Sequence, residues 1–502
     1  MEKCEKTPPW GGIGIAETCR LWGAFCLFLV LLLMLYRPCA MADGIYEAED
    51  ALLSDALRAE EDPEASQNRA VGRFSNQEDR LVFRIRIEQD GFYDLEFTGK
   101  GIGSDKINSV SADGLALGEI RHPEGSYAAD VLRRTPLTAG EHEICVTARK
   151  GWFYLDCLRV LQAEPVPKSV YEVTAPLSNP NANAETQALY RFLQDCYGRY
   201  ILSGQYSDEA FGGKELEAVH AVTGKYPAIL GLDIRNYAVS NQYFGAKGNT
   251  VEHAIAFHKA GGIVSFCWHW NAPAMTIIPE ANEEDDPSWW KGAHEQNSFF
   301  DLRRVMYGDD PNGKQALDMD IQAIAAQLKR LEEEHVPVLW RPLHEASGGW
   351  FWWGADGPDA FKQLWIYLYK TLTEVYHCNN LIWVCSCLDP AWYPGDAYVD
   401  IIGDDVYQKP RQYGPLADNF SDLMLYSPQG KILALTENGV VPDSALCRQA
   451  GVYWSWFCTW KDEYVTTDGE YASDYTEKEL LQSVYDSEIV LTLDELERLR
   501  GY

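Results

Sequence analysis

The chain of 502 residues is too long for one ordinary domain, and its length predicts two domains plus a targeting segment. Apolar residues make up 46% and charged residues 24% of it, values typical of globular domains with ample cores. The formal net charge of −32 argues against nucleic acid as a partner, because its phosphates would be repelled, and fits a soluble protein that acts on a neutral substrate.

The N-terminus has the pattern of an export signal. Residues 21–36 form an uncharged apolar run between two arginines, and this run of 16 residues is short for a membrane span. A small-x-small cleavage site follows at 40–42, so cleavage there would leave Asp43 at the new N-terminus. We therefore predict a signal peptide at 1–42 and a secreted protein. The alternative is an extracellular protein held at the membrane by the same segment, retained as an anchor.

The cysteines do not form a disulfide framework that the sequence can define. Nine of the 13 cysteines lie beyond the proposed leader, and they do not form recurring CxxC pairs of the metal-binding kind. Cys267, Cys385 and Cys387 lie inside strand-like runs, so most of the nine are predicted to be buried free thiols. Cys145 and Cys157 stay open as a possible disulfide.

The first domain is predicted to be all-β. Apolar residues alternate with arginines along 80–87, which is the period-two pattern of a half-buried strand. Further β-rich runs are separated by Gly, Asp, Asn and Pro, and they lie at 93–97, 143–147 and 152–160. This punctuation predicts a β-sandwich over 43–163, followed by a proline-rich linker at 164–180.

Beyond the linker, residues 181–502 alternate between strand-like runs and amphipathic helices. Two helices have apolar faces, formed by Ile321, Ile324, Leu328 and Leu331 in the first and by Phe361, Leu364, Trp365, Leu368, Leu372 and Val375 in the second. Eight buried strand-like runs can be counted, at 201–206, 226–234, 262–270, 336–344, 381–386, 398–407, 431–437 and 451–460. This pattern predicts an α/β fold, a (β/α)8 barrel of ordinary size. A doubly wound open sheet is disfavoured because no Gly-rich phosphate loop follows the first strand.

Polar or aromatic residues end nearly every predicted barrel strand, at the face where catalytic residues of such barrels lie. They are Gln205, Tyr206, Asp233, His269, His344, Glu345, Asp404, Asp405, Tyr407, Glu437 and Trp460. Glu345 and Glu437 close the fourth and seventh strands, so their carboxyl groups can face each other across the barrel mouth. Glycosidases that retain anomeric configuration use two carboxyl groups about 5–5.5 Å apart, one as acid/base and one as nucleophile. The pair therefore predicts cleavage of a glycosidic bond with retention.

Residues 341–354 (RPLHEASGGWFWWG) resemble the acid/base motif of glycoside hydrolase family 26, whose members are mostly β-mannanases. Three shorter segments resemble that family's third-strand, sixth-strand and nucleophile motifs, namely 268–270 (WHW), 403–407 (GDDVY) and 436–439 (TENG). The resemblance runs from about residue 201 to the end of the chain. It implies a barrel with the acid on strand four and the nucleophile on strand seven.

Carried over by position, the resemblance implies that Glu345 is the acid/base and that Glu437 is the nucleophile, supported by Tyr407. It also implies substrate-binding positions around the cleaved bond: His269, His344, Trp350, Asp405, Tyr407 and Trp460. Some members carry an arginine after the last-strand aromatic residue, whereas Lys461 follows Trp460 here. The sugar-binding subsites on the glycone side are therefore expected to differ in detail.

The N-terminal domain resembles carbohydrate-binding module family 35, through residues 46–49 (YEAE) and 152–156 (WFYLD). Members commonly hold a structural Ca²⁺ with acidic residues from these two places. The resemblance therefore implies that Glu47, Glu49 and Asp156 bind Ca²⁺, a cation that prefers oxygen ligands, with backbone carbonyls or water completing its shell. Trp152 is the one tryptophan of this domain, and it is either a sugar platform or a core residue.

The predicted function is an extracellular endo-β-1,4-mannanase that acts on mannan, glucomannan or galactomannan and is tethered to its polymer by the N-terminal module. Catalysis is expected to need no cofactor, and the pKa of Glu345 is expected to be raised by burial or by the Glu437 charge. A membrane is a partner only if the leader is retained. The alternatives are a β-1,3/1,4-glucanase or β-xylanase on the same scaffold, an exo-acting mannanase, and a non-catalytic carbohydrate-binding protein.

Overall fold

The computed structural model describes residues 44–149, 152–278, 282–283, 286–427 and 429–500. Most of the described residues before Ala163 form one compact unit, and the described residues from Ala163 onward belong to a second. The predicted leader at 1–42 lies outside the described residues. Within the described ranges, every helix is too short or too polar to cross a membrane.

The first unit is built from two β-sheets. Its strands are β1 (Gly44–Glu47), β2 (Leu52–Leu53), β3 (Arg58–Glu61), β4 (Arg69–Gly72), β5 (Arg80–Ile87), β6 (Gly91–Gly101), β7 (Lys106–Ala112), β8 (Leu115–His122), β9 (Ala128–Leu137), β10 (Gly140–Ala148) and β11 (Phe153–Gln162). One sheet has the order β3-β4-β11-β6-β9, with β1 also paired to β11, and the other has the order β2-β5-β10-β7-β8. The pairs β1–β11, β6–β11 and β5–β10 are antiparallel, as the predicted sandwich requires.

The period-two pattern of β5 is confirmed. Leu81, Phe83, Ile85 and Ile87 are buried, while the arginines of this strand point to solvent. A strand with one apolar face packs that face into the core and leaves the other wet, because successive side chains point to opposite sides. The core of this unit therefore lies between its two sheets.

The second unit contains a closed barrel of eight parallel strands. In order around the barrel these are β13 (Gly204–Tyr206), β14 (Ile229–Asp233), β15 (Ile263–Trp268), β18 (Val338–Pro342), β19 (Leu381–Cys385), β20 (Ile401–Val406), β21 (Ile432–Asn438) and β22 (Phe457–Thr459). The barrel closes where Gln205 of β13 pairs with Thr459 of β22. Seven of these strands fall inside the predicted runs and β21 extends one residue past its run, so the (β/α)8 fold is confirmed.

Short strands lie outside the barrel. The predicted first run divides into β13 and β12 (Ile201–Leu202), and β12 pairs instead with β25 (Val490–Leu491) near the C-terminus. Two hairpins join β16 (Asn282–Glu283) to β17 (Asp286–Pro287) and β23 (Thr466–Thr467) to β24 (Glu470–Tyr471).

The helices described around the barrel are α1 (Ala184–Cys196), α2 (Lys214–Thr223), α3 (Val239–Gln242), α4 (Thr250–Lys259), α5 (Leu302–Met306), α6 (Pro311–Glu333), α7 (Trp352–Ala355), α8 (Pro358–Lys370), α9 (Ala417–Leu423), α10 (Ser444–Ala450), α11 (Lys478–Tyr485) and α12 (Leu493–Arg500). The boundaries of α6 follow from local chemistry. The Asp310 side chain accepts the Gly313 N–H at 2.9 Å, and Pro311 occupies the first turn, where its missing N–H costs nothing.

The apolar faces predicted for α6 and α8 are buried, with one exception. Val375, placed on the second face by its spacing, is 64% exposed. The chain after α8 continues as a π-helical turn over Thr371–Val375, and this wider turn rotates Val375 away from the face that ends at Leu372.

The cysteines beyond the leader are unpaired thiols. Eight are buried and Cys145 is half-buried. Cys145 lies on β10 and Cys157 on β11, which belong to different sheets, and the two do not form a disulfide. The prediction of buried free thiols is confirmed.

Candidate active site

The side chains predicted at the strand ends meet at one mouth of the barrel. The carboxylate of Glu437, near the end of β21, is held through both of its oxygens. Arg341 of β18 donates to Oε2, and the hydroxyl of Tyr407, which follows β20, donates to Oε1. Because two elements fix the two oxygens, the carboxylate has one defined orientation, as a nucleophile needs.

Arg341 connects this carboxylate to the rest of the barrel interior. It is fully buried, and its Nη1 donates to Asp405 Oδ2 at 2.6 Å and to Ser386 Oγ at 3.2 Å. Its Nη2 also donates to the Tyr206 hydroxyl at 3.0 Å. A planar guanidinium with five donors suits such a junction because it can bind two carboxylates at once. Arg341 was not predicted as a site residue, although a charged residue inside the apolar run VLWRP is a usable signal.

Asp405 lies deeper than predicted. Its carboxyl side chain has no exposed surface, and besides Arg341 it accepts hydrogen bonds from Ser386 Oγ at 2.8 Å and Thr436 Oγ1 at 2.6 Å. Asp405 was predicted to bind sugar, whereas in the structure its carboxylate supports Arg341. Burial raises the pKa of Asp405 to about 6, against the lowering effect of Arg341.

Glu345, which follows β18 by three residues, has the environment of an acid. Burial raises the pKa of its carboxyl group to about 8, and the charge of Glu437 adds to that rise. Its backbone adopts the left-handed conformation (φ 54°), and its N–H donates to the Ser386 carbonyl at 2.7 Å. The two glutamates therefore have different environments: Glu437 accepts hydrogen bonds at both oxygens, while Glu345 favours its protonated form.

Trp350 lies beside this acid. Its Nε1–H donates to Glu345 Oε2 at 2.9 Å, and 45% of the residue is exposed. The ring crosses directly over Gly348, where an added Cβ would lie 2.1 Å from ring carbons, so the motif needs glycine there. The neighbouring Phe351 and Trp353 are buried and stack with centroids 4.4 Å apart. Trp350 is therefore the aromatic residue of this motif that a sugar can reach.

A second part of the site surrounds Trp460 after β22. Its ring leans on Tyr206 at a centroid distance of 4.8 Å and on His269 at 5.6 Å. A cavity of about 250 Å³ opens here, lined by Asp233, Arg235, His269, Ala293, His294, Trp460, Lys461 and Asp462. A half-buried aromatic wall with polar groups at its rim is a suitable surface for a sugar ring.

His344 differs from the prediction. It was expected to bind a substrate hydroxyl, but its ring is buried, with Nε2 3.2 Å from Nε2 of His269 and with Nδ1 lacking a hydrogen-bond partner in the described structure. Burial lowers the pKa of His344 well below its usual value. His269, in contrast, reaches the cavity and donates from Nδ1 to Asp233 Oδ2 at 2.9 Å.

Asp233, Cys267 and His269 are the one group within the described part of the barrel whose ligand atoms are spaced for a metal ion, within 4.8 Å of one another. Two of these atoms already bind each other through the hydrogen bond between Asp233 and His269. The group is therefore satisfied as it stands.

The first unit contains a second such group, formed by Glu47, Asp156 and Cys157. The Ser66 hydroxyl lies 2.7 Å from an oxygen of Glu47 and of Asp156, and the Ser66 N–H donates to Asp156 at 3.0 Å. Asp156 occupies the register shift between Leu155 and Cys157 of β11. A bulge of this kind re-aims one side chain.

Glu49 lies close enough to this group for the Glu47 charge to affect it, but it is not among the three residues whose ligand atoms lie within 4.8 Å of one another. Its Oε2 is buried without a hydrogen-bond partner in the described structure. Burial raises the pKa of Glu49, its own backbone N–H lowers that pKa, and the nearby Glu47 charge raises it further. Buried carboxylate oxygens without partners are rare, so this atom is available to a ligand. Trp152, which precedes β11, is 58% exposed, so it is not a core residue.

Comparisons with known proteins agree with both motif resemblances. Residues 178–495 match the model of glycosyl hydrolase family 26, and residues 44–163 match that of carbohydrate binding module family 35. A mannan endo-1,4-beta-mannosidase of Thermothelomyces thermophilus is 37% identical over 453 residues, which are 90% of this chain and 90% of that protein. Mannan endo-1,4-beta-mannosidase B of a Piromyces species is 30% identical over 94% of this chain and 79% of that protein.

Among solved structures, the GH26-CBM35 β-(1,4)-mannanase of Podospora anserina is similar over both units. Its TM-score is 0.65 at 35% sequence identity, and the match covers 91% of this chain and 99% of that one. A ruminal GH26 endo-β-1,4-mannanase gives a TM-score of 0.64 at 25% identity, with 91% and 98% covered.

Proposed function

Because this chain belongs to glycosyl hydrolase family 26, we propose that it is an endo-β-1,4-mannanase that hydrolyses mannan, glucomannan or galactomannan with retention of configuration. The observation that carries the proposal is the division of labour between two carboxyl groups at one barrel mouth. Burial raises the pKa of Glu345 to about 8, so its protonated form is favoured, while Glu437 is oriented by Arg341 and Tyr407. Such opposed environments are what a retaining mechanism needs.

In the first step Glu345 donates its proton to the departing glycosidic oxygen while Glu437 Oε attacks the anomeric carbon. This forms a glycosyl-enzyme ester and releases the leaving sugar. Glu345, now a carboxylate, removes a proton from a water molecule that attacks the same carbon, which frees Glu437 and restores the Glu345 proton. The Trp350 N–H at Glu345 Oε2 holds the acid in place through both steps.

We assign sugar contacts to the groups that reach open space. Trp350 is exposed beside Glu345 and Trp460 lines the cavity, so both present ring surface, and His269 and Tyr407 present polar edges. His344 and Asp405 act through His269 and Arg341 instead of on the sugar itself.

The test is a product profile on mannan, glucomannan, β-glucan and xylan for the full chain and for Glu437→Ala, with Glu374→Ala, an exposed acid of the π-helical turn, as control. We expect mixed manno-oligosaccharides from the parent and from the control, and loss of turnover by at least about 10⁴-fold in Glu437→Ala. Release of products only from β-glucan or xylan would overturn the substrate, and release of only the terminal sugar unit would overturn endo action. Mannan binding without any turnover would overturn the enzyme itself.

We propose further that the first unit is a mannan-binding module with a structural Ca²⁺ held by Glu47, Glu49 and Asp156. The fit rests on the convergence of Glu47 and Asp156 and on the unpartnered buried oxygen of Glu49. Hard oxygen donors of this kind favour Ca²⁺ over softer metals. The ion would neutralise mutual repulsion and fix β1 against β11.

We also propose that the protein is exported, with 1–42 as its leader, 43–163 as the module, 164–180 as the linker and 181–502 as the catalytic domain. The division into units near Ala163 supports the domain limits. Mass spectrometry of the exported protein tests the leader. An N-terminus at Asp43 is the expected result, and an intact N-terminus in a membrane fraction would favour the anchor.

A further inference from the structure

A line of three side chains runs from the end of β14 to the segment that carries the proposed acid. Asp233 Oδ2 accepts a hydrogen bond from His269 Nδ1 at 2.9 Å, and His269 Nε2 lies 3.2 Å from Nε2 of His344. His344 directly precedes Glu345. None of these contacts requires a bound sugar, so the line is part of the protein's own framework.

The contacts assign the proton of each ring. A carboxylate only accepts, so His269 carries a proton on Nδ1. The Nε2 of a neutral His269 is then an acceptor, and His344 must donate to it from its own Nε2. This leaves Nδ1 of His344 without a proton, and that atom is the buried one without a partner in the described structure. A buried acceptor without a partner is better tolerated than a buried N–H without one, so this arrangement is favoured.

The two oxygens of Asp233 both accept hydrogen bonds, and this fixes which ring nitrogen of His269 carries the proton. Its Oδ1 accepts two backbone N–H groups, from Arg235 at 3.0 Å and from His269 at 3.3 Å. Its Oδ2 faces His269 Nδ1 and lies 3.5 Å from Arg235 Nε. Every hydrogen bond to this carboxylate in the described structure is therefore donated to it, and an amide in its place would keep its oxygen on the backbone side and turn its NH₂ toward the ring.

The far end of the line meets a strained segment. Leu343 (φ 52°) and Glu345 (φ 54°) both adopt left-handed conformations, with His344 between them. Bulky residues hold such conformations only when their surroundings fix them. The His344 ring supplies that fixation, with centroids 5.2 Å from Phe351 and 5.7 Å from Trp353 and with its hydrogen bond to His269.

We propose that Asp233 is a positioning residue for the hydrolytic reaction, fixing the tautomers of His269 and His344 and thereby the segment that presents Glu345. The inference rests on the proposed role of Glu345 as acid/base. Asp233 has no role in the motif resemblances and touches no reacting atom. Asp233 acts on the Glu345 segment through the side chains of His269 and His344, in the way that a carboxylate sets the tautomer of a catalytic histidine.

The experiment compares Asp233→Asn with Asp320→Asn in the full chain. Asp320 is an equally suitable control because it is a buried carboxylate that accepts the Ser240 N–H at 2.8 Å and Trp270 Nε1–H at 2.7 Å, outside the histidine line. Nitrogen-15 NMR of labelled histidine separates protonated from bare ring nitrogens. In Asp233→Asn we expect the proton of His269 to move from Nδ1 to Nε2 and that of His344 from Nε2 to Nδ1, with both unchanged in Asp320→Asn.

Kinetics supply a readout that a merely structural role would not move. An aryl mannoside with a dinitrophenyl leaving group departs without protonation, whereas mannohexaose needs the acid. In Asp233→Asn we expect kcat/KM to fall about 10- to 100-fold for mannohexaose, the range seen when partners of functional histidines are removed, and by less than about threefold for the aryl substrate. Asp320→Asn is expected to leave the ratio between the two substrates unchanged.

Three results would overturn the inference: unchanged histidine protonation in Asp233→Asn, equal losses on both substrates, or a loss on mannohexaose no larger than that of Asp320→Asn. Failure of the underlying function is seen separately, in Glu345→Gln. If that variant hydrolyses mannohexaose at the parent rate, Glu345 is not the acid and the basis of the inference falls, whatever Asp233→Asn does.

Discussion

Each unit of this protein brings three carboxyl groups together, and the two groups are balanced in different ways. In the barrel, Asp405 and Glu437 bind a cation that belongs to the chain, the buried guanidinium of Arg341, whose charge also acts on Glu345. In the module, the hydrogen bonds to Glu47 and Asp156 come from Ser66, a neutral residue, and Arg69 has only a minor electrostatic effect on Glu49. A permanent internal charge suits carboxylates that must react, whereas the carboxylates of the module would, under our proposal, be balanced by Ca²⁺ from solution.

The largest effect is expected from removing the internal cation. Arg341→Met leaves Asp405 and Glu437 buried without their partner, which costs about 3–5 kcal/mol in the free energy of unfolding and abolishes turnover because Glu437 loses its orientation. Chemical denaturation and mannan hydrolysis measure the two consequences.

Arg330→Met is the matched control for this change. Arg330 pairs with Glu252 at 2.6 Å on the surface, where an ion pair contributes about 0–1 kcal/mol. Equal destabilisation by the two substitutions would contradict the special place given to the buried arginine.

Removing the proposed Ca²⁺ from the module is expected to have the next largest effect. At a Ca²⁺ concentration 100 times the Kd, a bound ion stabilises the module by about 2.7 kcal/mol, so a chelator should lower the Tm of the module transition and leave that of the barrel unchanged. Calorimetry of the full chain follows both transitions. Asp156→Asn should remove the response to Ca²⁺, while Glu143→Gln, an exposed acid paired with Arg84 on another strand of the module, should retain it. If the barrel transition responds to Ca²⁺ and the module transition does not, the proposed Ca²⁺ site in the module is contradicted.

The smallest expected effect concerns the pH dependence of stability. The pKa of Glu345 is raised to about 8 in the folded chain from an ordinary value of 4.5, so the folded state holds a proton that the unfolded state has lost. Its contribution to stability is therefore unfavourable above pH 4.5 and grows until about pH 8. Glu345→Gln should match the parent at pH 4 and exceed it at pH 8, by about 1–2 kcal/mol after screening of a half-buried group. Denaturation at both pH values tests this, and a stability difference that shrinks at higher pH would contradict it.

The fold could be predicted from the sequence because its signals are local. Eight apolar runs with helices between them specify a barrel whichever residues fill its interior, and the limits of the runs agreed with the strands within three residues except at the start of the last run, six residues before β22. The exception is instructive. Val375 has the spacing of a buried residue, but one wider helical turn after α8 moved it to solvent, and a turn type of this kind has no clear sequence signal.

The sequence indicated which residues would meet at the barrel mouth but not how deeply each would be buried. Strand ends and motifs brought Glu345, Glu437 and Tyr407 to one mouth, yet the same reasoning placed His344 and Asp405 in contact with sugar. Depth depends on how far each residue lies along a tilted strand and on which neighbours cover it, and both are properties of the assembled barrel. The single segment around Arg341 shows an unusual buried charge, but its partners on β13, β20, β21 and directly after β19 become visible only in the assembled barrel.

The nine unpaired thiols give this chain an internal set of reporters. A buried thiol reacts with an alkylating reagent only when its surroundings open, so the modification rate of each of the eight buried cysteines measures the local opening of its own neighbourhood, whereas the half-buried Cys145 can react without such opening. Cys145 and Cys157 sample the module, and Cys196, Cys267, Cys378, Cys385, Cys387, Cys447 and Cys458 sample the barrel. Peptide mass mapping of a single labelling time course can therefore rank the parts of this protein by how often they open locally, without any introduced cysteine or label site.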